Sequence, residues 1–178
     1  MGFECEEDAR KVMAVLPKRF GKYGLTIHPD KTRLVPFGKP KGGRQGNPGT
    51  FDFLGFTHYW GKSWGKRMVV KRKTAKDRIS RGLKGISKWC RKNRHLDIKA
   101  QYEMLGLKLK GHCAYYGITG NAESLRLFRE SLKRIWRKWL DRRSRNKGGM
   151  TWEKFSCLEK WLPLPPARAV HSICVAKP

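Results

Sequence analysis

From Thr74 onward, apolar residues recur with the period of an α-helix, and this periodicity constrains the fold more than any other feature of the chain. Ile79, Leu83, Ile86 and Cys90 follow at steps of four, three and four, which predicts a helix with one apolar stripe and with Lys76, Arg81, Lys84, Lys88 and Arg91 on its other side. Thr74, with Asp77 three residues later, has the form of a capping box at its start. Asp97 can cap a second helix whose stripe is Ile98, Tyr102, Leu105, Leu109 and Cys113 and which ends near Gly117. Asn121 can cap a third, in which Leu125, Phe128, Leu132, Ile135, Trp136 and Trp139 face inward, the two tryptophans as core. Gly148 and Gly149 break it. Thr151 with Phe155, Leu158 and Leu162 predicts a short fourth helix stopped by Pro163. Three longer helices and a short one, joined by short loops, predict a small bundle.

The residues before Thr74 read differently. Ala9, Val12, Met13, Leu16 and Phe20 lie at helical spacing and predict a short amphipathic helix over residues 5–20, stopped by Gly21 and Gly24. Leu25 to Ile27 and Thr32 to Phe37 are β-prone runs separated by the turn-like His28-Pro29-Asp30-Lys31. Residues 38–49, rich in Gly, Pro and Lys, have the composition of a loop. Phe51 to Trp60 predicts a strand, with Arg67 to Lys71 as its hairpin partner across the turn at Gly61 to Gly65. The expected class is α+β: a small α/β segment with an antiparallel hairpin over residues 1–72, then an all-α three- to four-helix bundle over 73–178. Strands of so small a segment would leave unpaired edges.

Charge narrows the function. The 178 residues hold 41 Lys and Arg against 14 Asp and Glu, a net charge of +27. Such an excess repels itself in a compact state and persists where a polyanion neutralises it, so nucleic acid is the leading partner class and an anionic membrane surface the alternative. Between Lys62 and Arg94 there are fourteen bases and one acid, Asp77; between Arg129 and Lys147 there are nine and two; residues 1–22 are near neutral. Basic runs interleaved with Trp and Tyr point to the phosphate backbone. With 39% hydrophobic residues, including 7 Trp, 8 Phe and 5 Tyr, the chain has enough apolar material for a core. No apolar run is long enough to cross a bilayer, and the acidic start MGFECEEDARK is unlike a signal peptide, so a cytoplasmic location without membrane association is expected. Cys5, Cys90, Cys113, Cys157 and Cys174 are widely spaced without a C-x-x-C pair, so free, mostly buried thiols are expected rather than disulfides or zinc ligands.

Residues suited to catalysis are sparse. Asp30 sits in a turn and Asp52 between two phenylalanines, while Asp77, Asp97 and Glu153 stand where helix starts favour acids. The histidines His28, His58, His95, His112 and His171 are scattered, and neither a Walker loop nor G-x-G-x-x-G is present. Read by residues alone, the chain is a binding protein with no catalytic residue, no metal site, no cofactor and no small-molecule substrate.

Particular strings add a family. Gly24-Leu25-Thr26-Ile27-His28-Pro29-Asp30-Lys31-Thr32, followed by Phe51-Asp52-Phe53-Leu54-Gly55-Phe56, resembles the last blocks of the reverse transcriptase palm in bacterial group II intron-encoded proteins. Arg91-Lys92-Asn93-Arg94, Leu109-Lys110-Gly111-His112-Cys113-Ala114-Tyr115-Tyr116-Gly117, Met150-Thr151-Trp152-Glu153-Lys154-Phe155 and Pro163-Leu164-Pro165-Pro166-Ala167-Arg168 are similar to the thumb and maturase domain X of the same family, in family order. The family's Tyr-Ala-Asp-Asp box would precede the acidic helix near Glu4, so fingers, most of the palm and the magnesium-binding aspartates have no counterpart in these residues, nor is there an H-N-H nuclease motif.

The resemblance implies an RNA-binding maturase segment that assists folding and splicing of a group II intron RNA. Alternatively, it implies the thumb of an RNA-directed DNA polymerase, acting on an RNA–DNA hybrid once palm and fingers are supplied with their magnesium. Phe53, Leu54 and Gly55 would be primer-grip-like, with Gly55 permitting close backbone approach, though a hairpin that only packs on the palm remains the alternative. Lys71, Arg72, Lys73, Lys76, Arg81, Lys84, Lys88, Arg91, Lys92 and Arg94 would face RNA phosphates, with Arg142, Arg143 and Arg145 extending that surface. His112, Tyr115 and Tyr116 could stack on unpaired bases or pack as bundle core with hydroxyls at the rim.

Overall fold

A computed structural model describes residues 1–40, 49–143 and 149–171. Residues 41–48, most of the expected Gly-rich loop, lie outside that description, as do Arg145, Gly148 and Cys174. The fold is α+β: a three-stranded antiparallel sheet and five helices. The chain divides into two compact units, Met1–Phe51 and Asp52–Pro178. That boundary differs from the expected one at residue 72, and the reason is that the hairpin is fastened to the bundle.

In the first unit α1 spans Glu6–Gly21, with Glu6, Glu7 and Asp8 in its first turn, where the helix dipole favours acids. Of the α1 residues only Ala9 is buried. Arg10 pairs with Glu6 at 2.6 Å and Lys11 with Asp8 at 3.5 Å. The β-prone runs at Leu25 to Ile27 and Thr32 to Phe37 do not form strands: no regular ladder partner exists for them among the described residues, and Pro29–Lys31 between them is a single 3-10 turn. Strand propensity without a neighbouring strand leaves the backbone groups unpaired, so propensity alone does not produce a sheet.

From Phe51 onward the expected single strand to Trp60 is two. β1 (Phe51–Phe53) turns at Leu54-Gly55 into β2 (Phe56–Lys62), which pairs antiparallel with β3 (Met68–Thr74) from Phe56 opposite Thr74 to Lys62 opposite Met68. Leu54 and Gly55 have φ of 49° and 80°. Two consecutive positive φ values are those of a type I′ hairpin turn, whose twist suits the flanking strands. Gly55 meets both demands of its position, for a Cβ there would lie 3.0 Å from the Tyr116 hydroxyl.

The bundle comprises α2 (Lys76–Lys92), α3 (Ile98–Tyr116), α4 (Ala122–Asp141) and α5 (Trp152–Trp161). Its core is Ile86 and Cys90 of α2, Leu105, Leu109 and Cys113 of α3, Leu125, Phe128, Leu132, Trp136, Trp139 and Leu140 of α4, then Phe155 and Leu164. Ile79, Leu83, Ile98, Tyr102 and Ile135 pack around it half-buried. α2 packs chiefly on α4. The close approach is made at Gly82, where a Cβ would meet the Phe128 ring at 3.1 Å.

Two expected caps take other forms. Thr74 caps nothing: it is buried at the end of β3, the N-cap of α2 is Ala75, and no side chain caps that end. Asn121 occupies the N-cap of α4 but spends its side chain elsewhere, accepting from the Thr74 amide at 3.0 Å and donating to the Thr74 hydroxyl and the Tyr116 carbonyl, each at 2.8 Å. Asp97 and Thr151 do cap, accepting from the Lys99 and Lys154 amides at 2.9 and 3.3 Å. Of the four described thiols, Cys90 and Cys113 are buried and Cys5 and Cys157 exposed, so burial holds for only half of them.

Candidate nucleic-acid interface

The apolar stripe of α2 faces α4, and geometry then fixes where its bases go. At 100° per residue, Lys76, Arg81, Lys84, Lys88, Arg91 and Lys92 fall within one half of the helix circumference, and all six are exposed. Lys84, Lys88 and Arg91 succeed one another by about one turn, roughly 5 Å of axial rise, a spacing suited to a row of phosphates. Only Asp77 interrupts this face, lying 3.5 Å from both Arg78 and Arg81. That exposed pairing offsets little of the positive potential.

Where α2 ends, an open cleft of about 500 Å³ is lined by Lys88, Arg91, Lys92, Arg94 and His95, with no acid in its wall. The loop that carries Arg94 and His95 is held from below. The buried Gln101 amide points at the carbonyls of Asn93, Arg94 and Leu96 at 3.0 to 3.3 Å, while its oxygen accepts from the Trp136 indole at 3.1 Å. Asn93 itself donates to the Trp89 carbonyl at 2.9 Å. The Trp89 carbonyl of the last helical turn and the loop carbonyls of Asn93, Arg94 and Leu96 are thereby satisfied internally; Arg94 Nε donates to His95 Nε2 at 2.9 Å, and Lys88, Arg91 and Lys92 are exposed.

The hairpin contributes differently. Lys71 and Arg72 are half-buried and Lys73 is exposed, with the Lys73 ammonium 5.2 Å from the Tyr59 ring centroid. At the α4 end the Arg142 guanidinium lies 5.2 Å from the Trp139 ring, and the Trp139 indole donates to Ser87 of α2 at 3.2 Å, which ties this exposed base to the same helix pair. Arg143 does not project as expected: it is half-buried, and its Nη1 is buried without a partner among the described residues.

In the His112 region, His112 and Tyr116 are packed against neighbouring rings while Tyr115 stays exposed. His112 stacks on Phe128 at 3.6 Å and 3°, and Tyr116 lies 4.6 Å away. Burial lowers its pKa to about 4, so it is neutral at physiological pH. Tyr116 meets Phe56 edge-on at 5.4 Å, and burial raises its hydroxyl pKa. Tyr115 stays exposed, parallel to Phe56 at 6.1 Å, with its hydroxyl donating to the Leu54 carbonyl at 3.1 Å. These rings, with the 2.9 Å bond from the Ala75 amide to the Gly55 carbonyl, join the Leu54-Gly55 turn to the bundle. Phe53 and Leu54 project outward, 59% and 68% exposed. Phe53, Leu54 and Gly55 thus form a turn anchored from behind by Tyr115 and Tyr116.

Among the described residues no group of three or more His, Cys, Asp or Glu side chains could hold a metal ion, and no helix is long and apolar enough to cross a membrane. No protein-family model, no curated protein and no solved structure matches the chain.

Proposed function

We propose that this chain binds folded RNA through the exposed half of α2 and the basic cleft at its end, and that its target is a group II intron RNA whose active fold it stabilises. The observation that carries the reading is the six exposed bases on one side of α2, running into a cleft lined by four Lys or Arg and one His with no acid. Repeated bases on a rigid helix, without a set of amide side chains arranged to read base edges, suit A-form RNA, which is recognised by shape and backbone. The intron as target rests on the resemblance of the palm-end and domain X strings to the maturase family.

Filter binding over a salt series, comparing folded intron RNA with random RNA of equal length, tests this. Tighter binding to the intron at every salt concentration is expected. In Lys84→Ala/Lys88→Ala the salt slope for both RNAs should fall by about one per phosphate contact removed. Equal affinity and equal slope for the two RNAs overturn the intron reading, and an unchanged slope in the double variant overturns α2 as the contact face.

A further inference from the structure

The β2–β3 connection is a feature of the basic region that the α2 surface does not explain. Ser63 and Arg67 close it, with the Ser63 amide donating to the Arg67 carbonyl at 2.8 Å and the Lys66 amide to the Ser63 carbonyl at 3.0 Å. Between them stand Trp64, Gly65 and Lys66, a three-residue hairpin loop. Trp64 is fully exposed, at 107% of its reference area, more than any other large apolar residue described. Lys66 has φ of 57°. That left-handed position in a three-residue hairpin loop ordinarily carries glycine, and a lysine there is strained. A strained turn that displays a cation and an unsupported indole together is a local sacrifice of stability, which points to use.

We propose that this hairpin tip is a second nucleic-acid contact, in which Trp64 stacks on an unpaired base while Lys62, Lys66 and Arg67 hold the adjoining phosphates. The proposal rests on the RNA-binding reading given above and adds a ligand feature to it: unpaired nucleotides beside the duplex region. Charge complementarity commits the occupant. From Phe53 to Lys76 there are seven bases and no acid, so an acidic-free cationic arm surrounds the indole, and a polyanion that also carries planar rings satisfies both. Seven-residue strands place the tip roughly 20 Å from the root of the hairpin at Thr74, where α2 begins, so the tip reaches beyond the α2 face instead of duplicating it. A tryptophan in a Gly-Lys-Ser-Trp-Gly-Lys-Arg turn was the available sequence signal: a large ring where the backbone forbids burial.

The test is fluorescence anisotropy with a single-stranded RNA of about 12 nucleotides and a blunt RNA duplex of equal length, using wild type, Trp64→Ala and Trp64→Phe. Wild type should bind both. Trp64→Ala should weaken the single strand by about 5- to 100-fold and the duplex by less than about two-fold, while Trp64→Phe stays within about three-fold of wild type on the single strand. Since the indole is fully exposed, thermal melts of the variants should coincide with wild type. Wild-type binding that Trp64→Ala leaves unchanged for both RNAs overturns the tip contact and spares the α2 reading. Failure of wild type to bind either RNA overturns the α2 reading itself. Loss by Trp64→Ala of binding to phosphatidylglycerol vesicles, with RNA binding intact, overturns the tip as a base contact and makes it a lipid contact.

Discussion

Single side chains decide more of this protein than their number suggests, and His112 is the sharpest case. Its ring fills the space between Phe128 and Tyr116, and its buried Nε2 has no hydrogen-bond partner among the described residues. Because burial lowers the pKa to about 4 against an ordinary value of 6.5, the unfolded chain takes up a proton between these values and the folded chain does not. The stability tied to neutral His112 is therefore present in full above about pH 6.5 and is lost as pH falls to about 4, by at most about 3 kcal/mol. His112→Phe keeps the stack, removes the unpaired nitrogen, and should flatten the urea midpoint across that window. A wild-type midpoint that does not fall between pH 6.5 and 4 would contradict the burial.

Leu54 offers a second residue-level prediction. It holds φ of 49° in a turn that prefers Asn-Gly, and its side chain is mostly exposed. Leu54→Asn should raise stability by about 0.5–1 kcal/mol in urea unfolding, since the strain is relieved and little apolar burial is lost.

At the scale of elements, the joint between hairpin and bundle depends on Asn121. One buried amide ties the last residue of β3 to the α3–α4 connection through three hydrogen bonds. Removing it in Asn121→Ala leaves the Thr74 amide unpaired in the interior, while the Tyr116 carbonyl keeps the Ile118 amide at 2.8 Å, so a loss of about 2–3 kcal/mol is expected by urea denaturation. Thr74→Val removes only the hydroxyl and should cost about 1 kcal/mol. Equal losses in the two variants would sink this account of the joint. The C-terminal segment is attached by comparable means: Arg129 donates to the Leu164 and Pro165 carbonyls at 3.1 and 3.0 Å and pairs with Glu159 at 3.2 Å, and the His171 amide donates to the Gly117 carbonyl at 2.8 Å.

For the whole molecule the governing quantity is the net charge of +27. Compact cationic chains are destabilised by their own repulsion, and salt shortens its range to about 10 Å at 0.1 M. Raising ionic strength from about 0.02 to 0.3 M should therefore stabilise the fold by about 1 kcal/mol, a rise in Tm of about 2–4 °C at this size, measured by circular dichroism. An unchanged or falling Tm would mean that the bases are already neutralised within the fold. Thiol chemistry reports on the same fold: burial pushes the Cys90 thiol up to about 12 and raises that of Cys113. Native alkylation near pH 8, mapped by mass spectrometry, should modify Cys5 and Cys157 while sparing Cys90 and Cys113 until denaturant is added.

The periodicity from Ile79 to Trp139 by itself determined the bundle, because an apolar stripe at helical spacing has one way to leave water. The same stripe put Lys84, Lys88 and Arg91 on the outer side of α2. What the sequence could not determine depends on residues far apart along the chain. Asn121 and Thr74 both look like caps until folding brings them within 3 Å of each other across 47 residues. His112 and Tyr116 look like ring platforms until Phe128 and Phe56 cover them. The hairpin looks like part of the N-terminal segment until Tyr115 and Ala75 bind its turn. Local pattern encodes which face of an element avoids water. Partner choice among polar and aromatic groups is a long-range matter, settled by which of them the packed helices place within hydrogen-bonding or stacking distance.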